Sequence, residues 1–95
     1  MSDSSIALKV FTAEGLALED EAVSVVAPGA RGYVGFLVRH APLVMTVSPG
    51  KLSWRRPGGE RRAVQVGSGI LEIVKNHLTI LTDAVDRQPE EASRP

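Results

Sequence analysis

The residues able to do chemistry are few and widely spaced. His40, His77, Ser68, Asp83 and Asp86 are the candidates for a nucleophile, a general base or a metal ligand, and there is no cysteine. A serine nucleophile needs a base within hydrogen-bond reach and a sharp turn that presents its hydroxyl. Ser68 lies in Gly67-Ser68-Gly69, which lacks the G-x-S-x-G spacing and reads as a bulge or tight turn between strands. Neither histidine belongs to an H-E-x-x-H arrangement. Two histidines and scattered carboxylates would hold a metal only by converging from distant parts of the chain, so no catalytic, cofactor or metal site is expected. Without thiols there are no disulfides, thiolate zinc sites or cysteine nucleophiles, which fits a reducing compartment.

Two further groupings could bind anions. Gly29, Gly32 and Gly35 form a glycine-rich stretch, but it has neither the P-loop lysine nor a following helix to cradle a phosphate, and a loop with unusual torsions is expected there. Between Lys51 and Arg62, five cations (Lys51, Arg55, Arg56, Arg61, Arg62) face a single carboxylate, Glu60, beside Trp54. A basic hairpin with an aromatic residue can hold single-stranded nucleic acid by stacking and phosphate contact. It can equally be a solvated hairpin whose charges keep edge strands from aggregating. The acidic stretch Glu14, Glu19, Asp20 and Glu21 balances it, which favours the solvated hairpin and leaves nucleic-acid binding as the alternative.

The elements that position these residues follow from the hydrophobic period. Ile6, Leu8 and Val10 alternate, as do Val23, Val25 and Ala27; Leu43, Met45 and Val47; Leu52 and Trp54; Val64 and Val66; Leu71 and Ile73; and Leu78 and Ile80. Turn residues separate them at Pro28-Gly29, Pro49-Gly50, Pro57-Gly58-Gly59, Gly67-Ser68-Gly69 and Lys75-Asn76. The pattern predicts an all-β fold, a flattened antiparallel β-sandwich or barrel of about eight to ten short strands in a single domain. Pro49-Gly50 suits a type II turn. Antiparallel hairpins are expected for Lys51–Arg56 with Arg61–Val66 and for Ile70–Val74 with Leu78–Thr82, and neighbouring strands are expected to be sequential. Leu16, Leu18, Ala22, Val23 and Val26 have a spacing that a helix could also use, but their β-branched members favour strands. Residues 6–85 form the expected domain, with residues 1–5 a disordered start and residues 86–95 a flexible tail or linker.

With 95 residues, 10.1 kDa and a formal net charge of zero, the chain supports one modest core and no deep enclosed active site. Balanced charge argues against a protein made to coat nucleic acid or an anionic bilayer. No basic, then apolar, leader opens the sequence, and no apolar run approaches the roughly 18 residues of a membrane span, so a cytoplasmic location is expected. Several strands are apolar on both faces: Ile70 and Val74 lie opposite Leu71 and Ile73, Leu81 opposite Ile80, and Val44 opposite Met45. A two-layer sandwich needs one apolar face per sheet, so these residues sit either under loops or on a partner surface.

At 32–43 the chain reads G-Y-V-G-F-L-V-R-H-A-P-L and at 66–73 V-G-S-G-I-L-E-I, with Ala13-Glu14, Pro49-Gly50 and a closing N-H-L-T-I-L-T-D at 76–83. In this combination, over residues 8–84, it resembles the epsilon subunit of F-type ATP synthase, in its N-terminal β-sandwich domain. Two positions depart from the family pattern: Val38-Arg39 stands where Pro-Gly or Pro-Asn usually precedes the histidine, and Ser68 replaces the first of a glycine pair. The family usually continues into a C-terminal helical hairpin, whereas the matched pattern here ends before Arg87. Either these residues are one domain of a longer chain or the protein is a short form of the subunit.

The resemblance implies a non-catalytic rotor subunit that docks on the gamma subunit and the c-ring and helps couple proton translocation to ATP synthesis. It implies no cofactor, no nucleic-acid partner, no obligate homo-oligomer, and membrane association only through the complex, on the cytoplasmic face of the cell membrane. The inhibitory and nucleotide-binding roles of the helical hairpin are not expected of these residues. By position, Arg31, Tyr33, Arg39 and His40 are expected on one loop facing gamma and the c-ring, with His40 at the matched motif position.

Overall fold

The structure, a computed structural model, describes residues 4–86. The described chain is built entirely from strands and turns: β1 (Ile6–Thr12), β2 (Gly15–Ala22), β3 (Ser24–Gly29), β4 (Gly32–Leu37), β5 (Leu43–Val47), β6 (Gly50–Arg55), β7 (Arg61–Val66), β8 (Gly69–Val74), β9 (His77–Thr82) and β10 (Val85–Asp86). The segment with the ambiguous spacing is thus two strands, β2 and β3. The expected unstructured ends fall mostly on residues 1–3 and 87–95, outside the described residues. Of those within, Ser5 is buried and its hydroxyl donates to Glu21 Oε2 at 2.7 Å, and Asp86 pairs with Gln65.

The strands run in the order β10-β7-β6-β3-β5-β8-β9-β1-β2, with β4 on the other side of β3. They form two layers, β10-β7-β6-β3-β4 and β5-β8-β9-β1-β2, joined at one corner by the pairing of Gly29 with Val47 and by Ser48 N donating to Pro28 O at 2.9 Å. Both expected hairpins are present, β6 with β7 and β8 with β9. The expectation that neighbours are sequential fails for five of the nine pairings: β1 lies parallel to β9, and β3–β5, β3–β6, β5–β8 and β7–β10 join strands that are not consecutive. Alternation sets which face a strand buries, not which strand it pairs with.

The core is the set of alternating residues. Leu8 pairs with Leu78 and that with Ile73, while Val10 pairs with Ile80 and that with Leu71, giving two fully buried rows. Val25, Phe36, Leu52, Trp54, Val64 and Val66 close over them from the other layer. Each such side chain is worth about 1.5–3 kcal/mol on burial.

Two glycine expectations are corrected. Gly32, Gly35 and Gly29 lie in the β3–β4 hairpin rather than in an irregular loop, and only Gly32 of the three has positive φ (127°). Gly50 opens β6 without positive φ, so Pro49-Gly50 is not a type II turn. A Cβ at Gly50 would lie 2.8 Å from Pro28 Cβ and 3.0 Å from the Tyr33 hydroxyl, so close packing is what the position requires.

Candidate functional site

The candidate catalytic residues do not converge. Ser68 and Asp83 lie at one end of the barrel, where β7 turns into β8 and β9 into β10, with Asp86 close by. His40 and His77 lie at the other end, where β4 finishes and β9 begins. Ser68 serves the backbone: its carbonyl accepts from Thr82 Oγ1 and Asp83 N, both at 3.0 Å. Among the described residues, no group of three or more His, Asp or Glu side chains could hold a metal ion.

The four residues expected on one loop are also divided. Arg31 precedes β4 and Tyr33 is its second residue, whereas Arg39 and His40 follow its end, so the two pairs lie toward opposite ends of a strand about 17 Å long. Tyr33 leans on the β5–β6 turn, its hydroxyl accepting from Lys51 N at 3.2 Å. At the other end Arg39 has φ 68° and its N–H donates to Asn76 Oδ1 at 2.7 Å, while Lys75 and Asn76 also have positive φ (49° and 64°). His40 packs its ring 5.0 Å from that of Phe36 and its Nδ1 lies 2.6 Å from Ala41 O. A shallow groove of ≈ 470 Å³ lies among Arg39, His40, Pro42 and Lys75.

The basic hairpin lacks the features that nucleic-acid stacking needs. Trp54 is buried, and its indole N–H donates to Asp20 Oδ2 at 2.8 Å. Arg56 donates to Asp20 Oδ1 at 3.0 Å and Arg62 to Glu60 Oε2 at 2.8 Å. Burial alone would push the Asp20 carboxyl up; the hydrogen bonds from Trp54, the Glu21 N–H and Arg56, with the Arg56 charge, outweigh it and hold the carboxyl below its ordinary range. These contacts form a seam between β2 and β6, completed by Val23 N donating to Arg55 O at 2.8 Å.

Of the side chains expected on a second apolar face, Val44 (63%), Ile70 (47%) and Leu81 (56%) are exposed, whereas Val74 is half-buried. Register aligns them. Ile70 faces Leu81, Leu81 faces Phe11, and Phe11 faces Leu16, an apolar row across four strands spanning about 14 Å, with Thr46 facing Ile70 at its β5 end. Phe11 and Leu16 escape a reading by alternation because the β1–β2 register shifts between Val10 and Phe11. Without that bulge Phe11 would face Ala17; with it, Leu16 joins the row, half exposed. The adjacent row is polar apart from Val44: Glu72, Thr79, Lys9 and Glu19, the last two 4.0 Å apart.

Residues 5–88 match the family model described as ATP synthase, Delta/Epsilon chain, beta-sandwich domain. The chain belongs to that family. Its curated relatives include an ATP synthase epsilon chain from Moorella thermoacetica, 38% identical over 86 residues, covering 90% of this chain and 64% of that one. Another, from Chloroflexus aurantiacus, is 40% identical over 85 residues, covering 90% and 60%. The chain therefore spans under two thirds of the length of these relatives. Among solved structures, the fold is similar to a chain of the Euglena gracilis mitochondrial ATP synthase OSCP/F1/c-ring structure (TM-score 0.81, 18% identity, 96% of this chain and 61% of that one). It is also similar to one from the Tetrahymena thermophila mitochondrial ATP synthase central stalk and c-ring (TM-score 0.69, 13% identity, 90% and 68%). At these identities the likeness bears on the fold.

Proposed function

We propose that this sandwich is a non-catalytic rotor module of an F-type ATP synthase, docking on the gamma subunit and the c-ring and helping to couple proton translocation to ATP synthesis. The observation that carries the reading is the row of exposed Ile70, Leu81 and Leu16 with the half-buried Phe11 between them, on a domain of this family. Contiguous exposed apolar surface of this kind marks an interface. Gamma takes this face, and the turns at either end of β4, with Arg31 and Tyr33 at one and Arg39 and His40 at the other, contribute polar contacts to gamma and the c-ring. No helix among the described residues is long and apolar enough to cross a membrane; the module reaches the cytoplasmic face of the membrane through its complex.

Mixed with its cognate gamma subunit, the chain co-elutes on size exclusion as a stoichiometric complex that withstands 0.3 M salt, about twice physiological ionic strength. Separate elution at micromolar concentrations would contradict the proposal. Docking, and no inhibition, is assigned to these 95 residues.

A further inference from the structure

The edge strand β4 is unprotected. It hydrogen-bonds to β3 alone. The two-residue loop Ala30-Arg31 makes Gly29 and Gly32 the pair that closes the hairpin, so Val34 and Phe36 also bond to β3. Tyr33, Gly35 and Leu37 then direct N–H and C=O groups to the free side. Of these groups, the Leu37 carbonyl accepts from His40 N at 3.1 Å, and the others have no backbone partner among the described residues. Exposed edges are ordinarily blunted by charge, proline, a bulge or brevity. The outer strand β2 carries Glu19, Asp20 and Glu21, and β10 has two residues, whereas β4 reads Gly-Tyr-Val-Gly-Phe-Leu in unbroken register.

What surrounds this edge specifies a partner. Tyr33 and Leu37 are 60% and 65% exposed, and a Cβ at Gly35 between them would meet nothing within 4 Å. No aspartate or glutamate occurs between Glu21 and Glu60, while Arg31, Arg39, Lys51, Arg55 and Arg56 all fall in that interval. Arg31 and Arg39 bracket β4, and neither joins an ion pair shown among the described residues, whereas Arg56 is held by Asp20 and Glu60. A groove of ≈ 400 Å³ opens beside the start of β4, lined by Arg31, Tyr33, Val34, Met45 and Thr46.

We propose that β4 receives an extended, acidic segment of a partner protein as an added strand. Its backbone pairs with Tyr33, Gly35 and Leu37, its outward side chains lie against Tyr33 and Leu37, and carboxylates at its two ends meet Arg31 and Arg39. One inward side chain enters the groove at Met45. This deepens the docking reading and rests on it for the presence of a partner, while naming a different surface and a different kind of contact.

The test is amide exchange of the whole ¹⁵N-labelled chain with a synthetic nine-residue peptide, two aspartates at each end and alternating threonine and valine between. Exchange at Tyr33, Gly35 and Leu37 slows on the order of tenfold or more, and a peptide with lysines replacing the aspartates binds at least about tenfold more weakly. Gly35→Pro removes one free-side N–H at a place edge strands tolerate, and abolishes the protection. Arg31→Glu with Arg39→Glu reverses the preference between the peptides and keeps the test decisive should Gly35→Pro unfold. Unchanged exchange at millimolar peptide, protection confined to the Ile70–Leu81 face, or wild-type binding by a folded Gly35→Pro variant overturns strand addition. Co-elution with gamma beside any of these results leaves docking standing and removes only β4; peptide protection without co-elution does the reverse.

Discussion

Arg39 holds a backbone conformation that an L-residue adopts at a cost of about 1–2 kcal/mol. The conformation is kept because its N–H reaches Asn76 Oδ1 and the chain must turn there from β4 toward β5. Arg39→Asn, which tolerates positive φ, is expected to raise stability by up to about 1 kcal/mol, read as a higher urea midpoint at unchanged slope. Glycines divide by what a Cβ would meet. At Gly69 it would run into the Leu81 carbonyl oxygen, which the β8–β9 ladder fixes, so Gly69→Ala costs about 3 kcal/mol. Gly35→Ala, with nothing within 4 Å, changes thermal stability by less than about 1 kcal/mol. The sequence reveals that Gly50 and Gly69 matter, but not why: turn statistics point to torsion, and the reason is a neighbour far along the chain. His40 is legible as a motif position, whereas its separation from Tyr33 by most of the length of β4 appears only once the intervening residues are a strand.

At the scale of elements, β1, β3, β5 to β9 and both expected hairpins follow from alternation and turn residues, whereas β2 has a spacing that a helix could share and β4 lies where a glycine-rich loop is expected. The pairings β1–β9, β3–β6 and β5–β8 do not follow, because long-range partners are chosen by complementary faces brought together in the two-layer sandwich. The seam between β2 and β6 shows the difference most clearly. An acidic stretch and a basic hairpin, read separately as balancing charges, meet as Asp20 with Trp54 and Arg56. Asp20 has a lowered folded-state pKa, so its stabilising effect is fully present above the ordinary carboxylate value near 3.9 and is lost as pH falls through the lower folded value. Asp20→Asn should therefore lower stability at pH 7 by about 1–3 kcal/mol. The gap between wild type and variant should narrow below about pH 4 in urea melts at each pH. A constant gap across the range would mean that the seam acts by shape and not by charge.

For the whole molecule, alternation exposes a surplus of apolar residues, and the fold shows where they collect. Val44, Ile70 and Leu81 are legible as a second apolar face, but Phe11 and Leu16 reach it only through the bulge in β1–β2. The result is a small two-faced body: an apolar row on the β5-β8-β9-β1-β2 layer and a cationic stretch over residues 22–59 that contributes no carboxylate of its own. Docking through the row is the central claim, because nothing inside the sandwich requires those side chains. Titration calorimetry of the chain into its cognate gamma subunit, comparing wild type with Ile70→Asp plus Leu81→Asp, tests it most directly. Burial of the row predicts binding with a negative heat-capacity change, weakened about 100-fold or more in the double variant while its melting temperature stays close to that of wild type. Equal affinities for two equally stable proteins would contradict it.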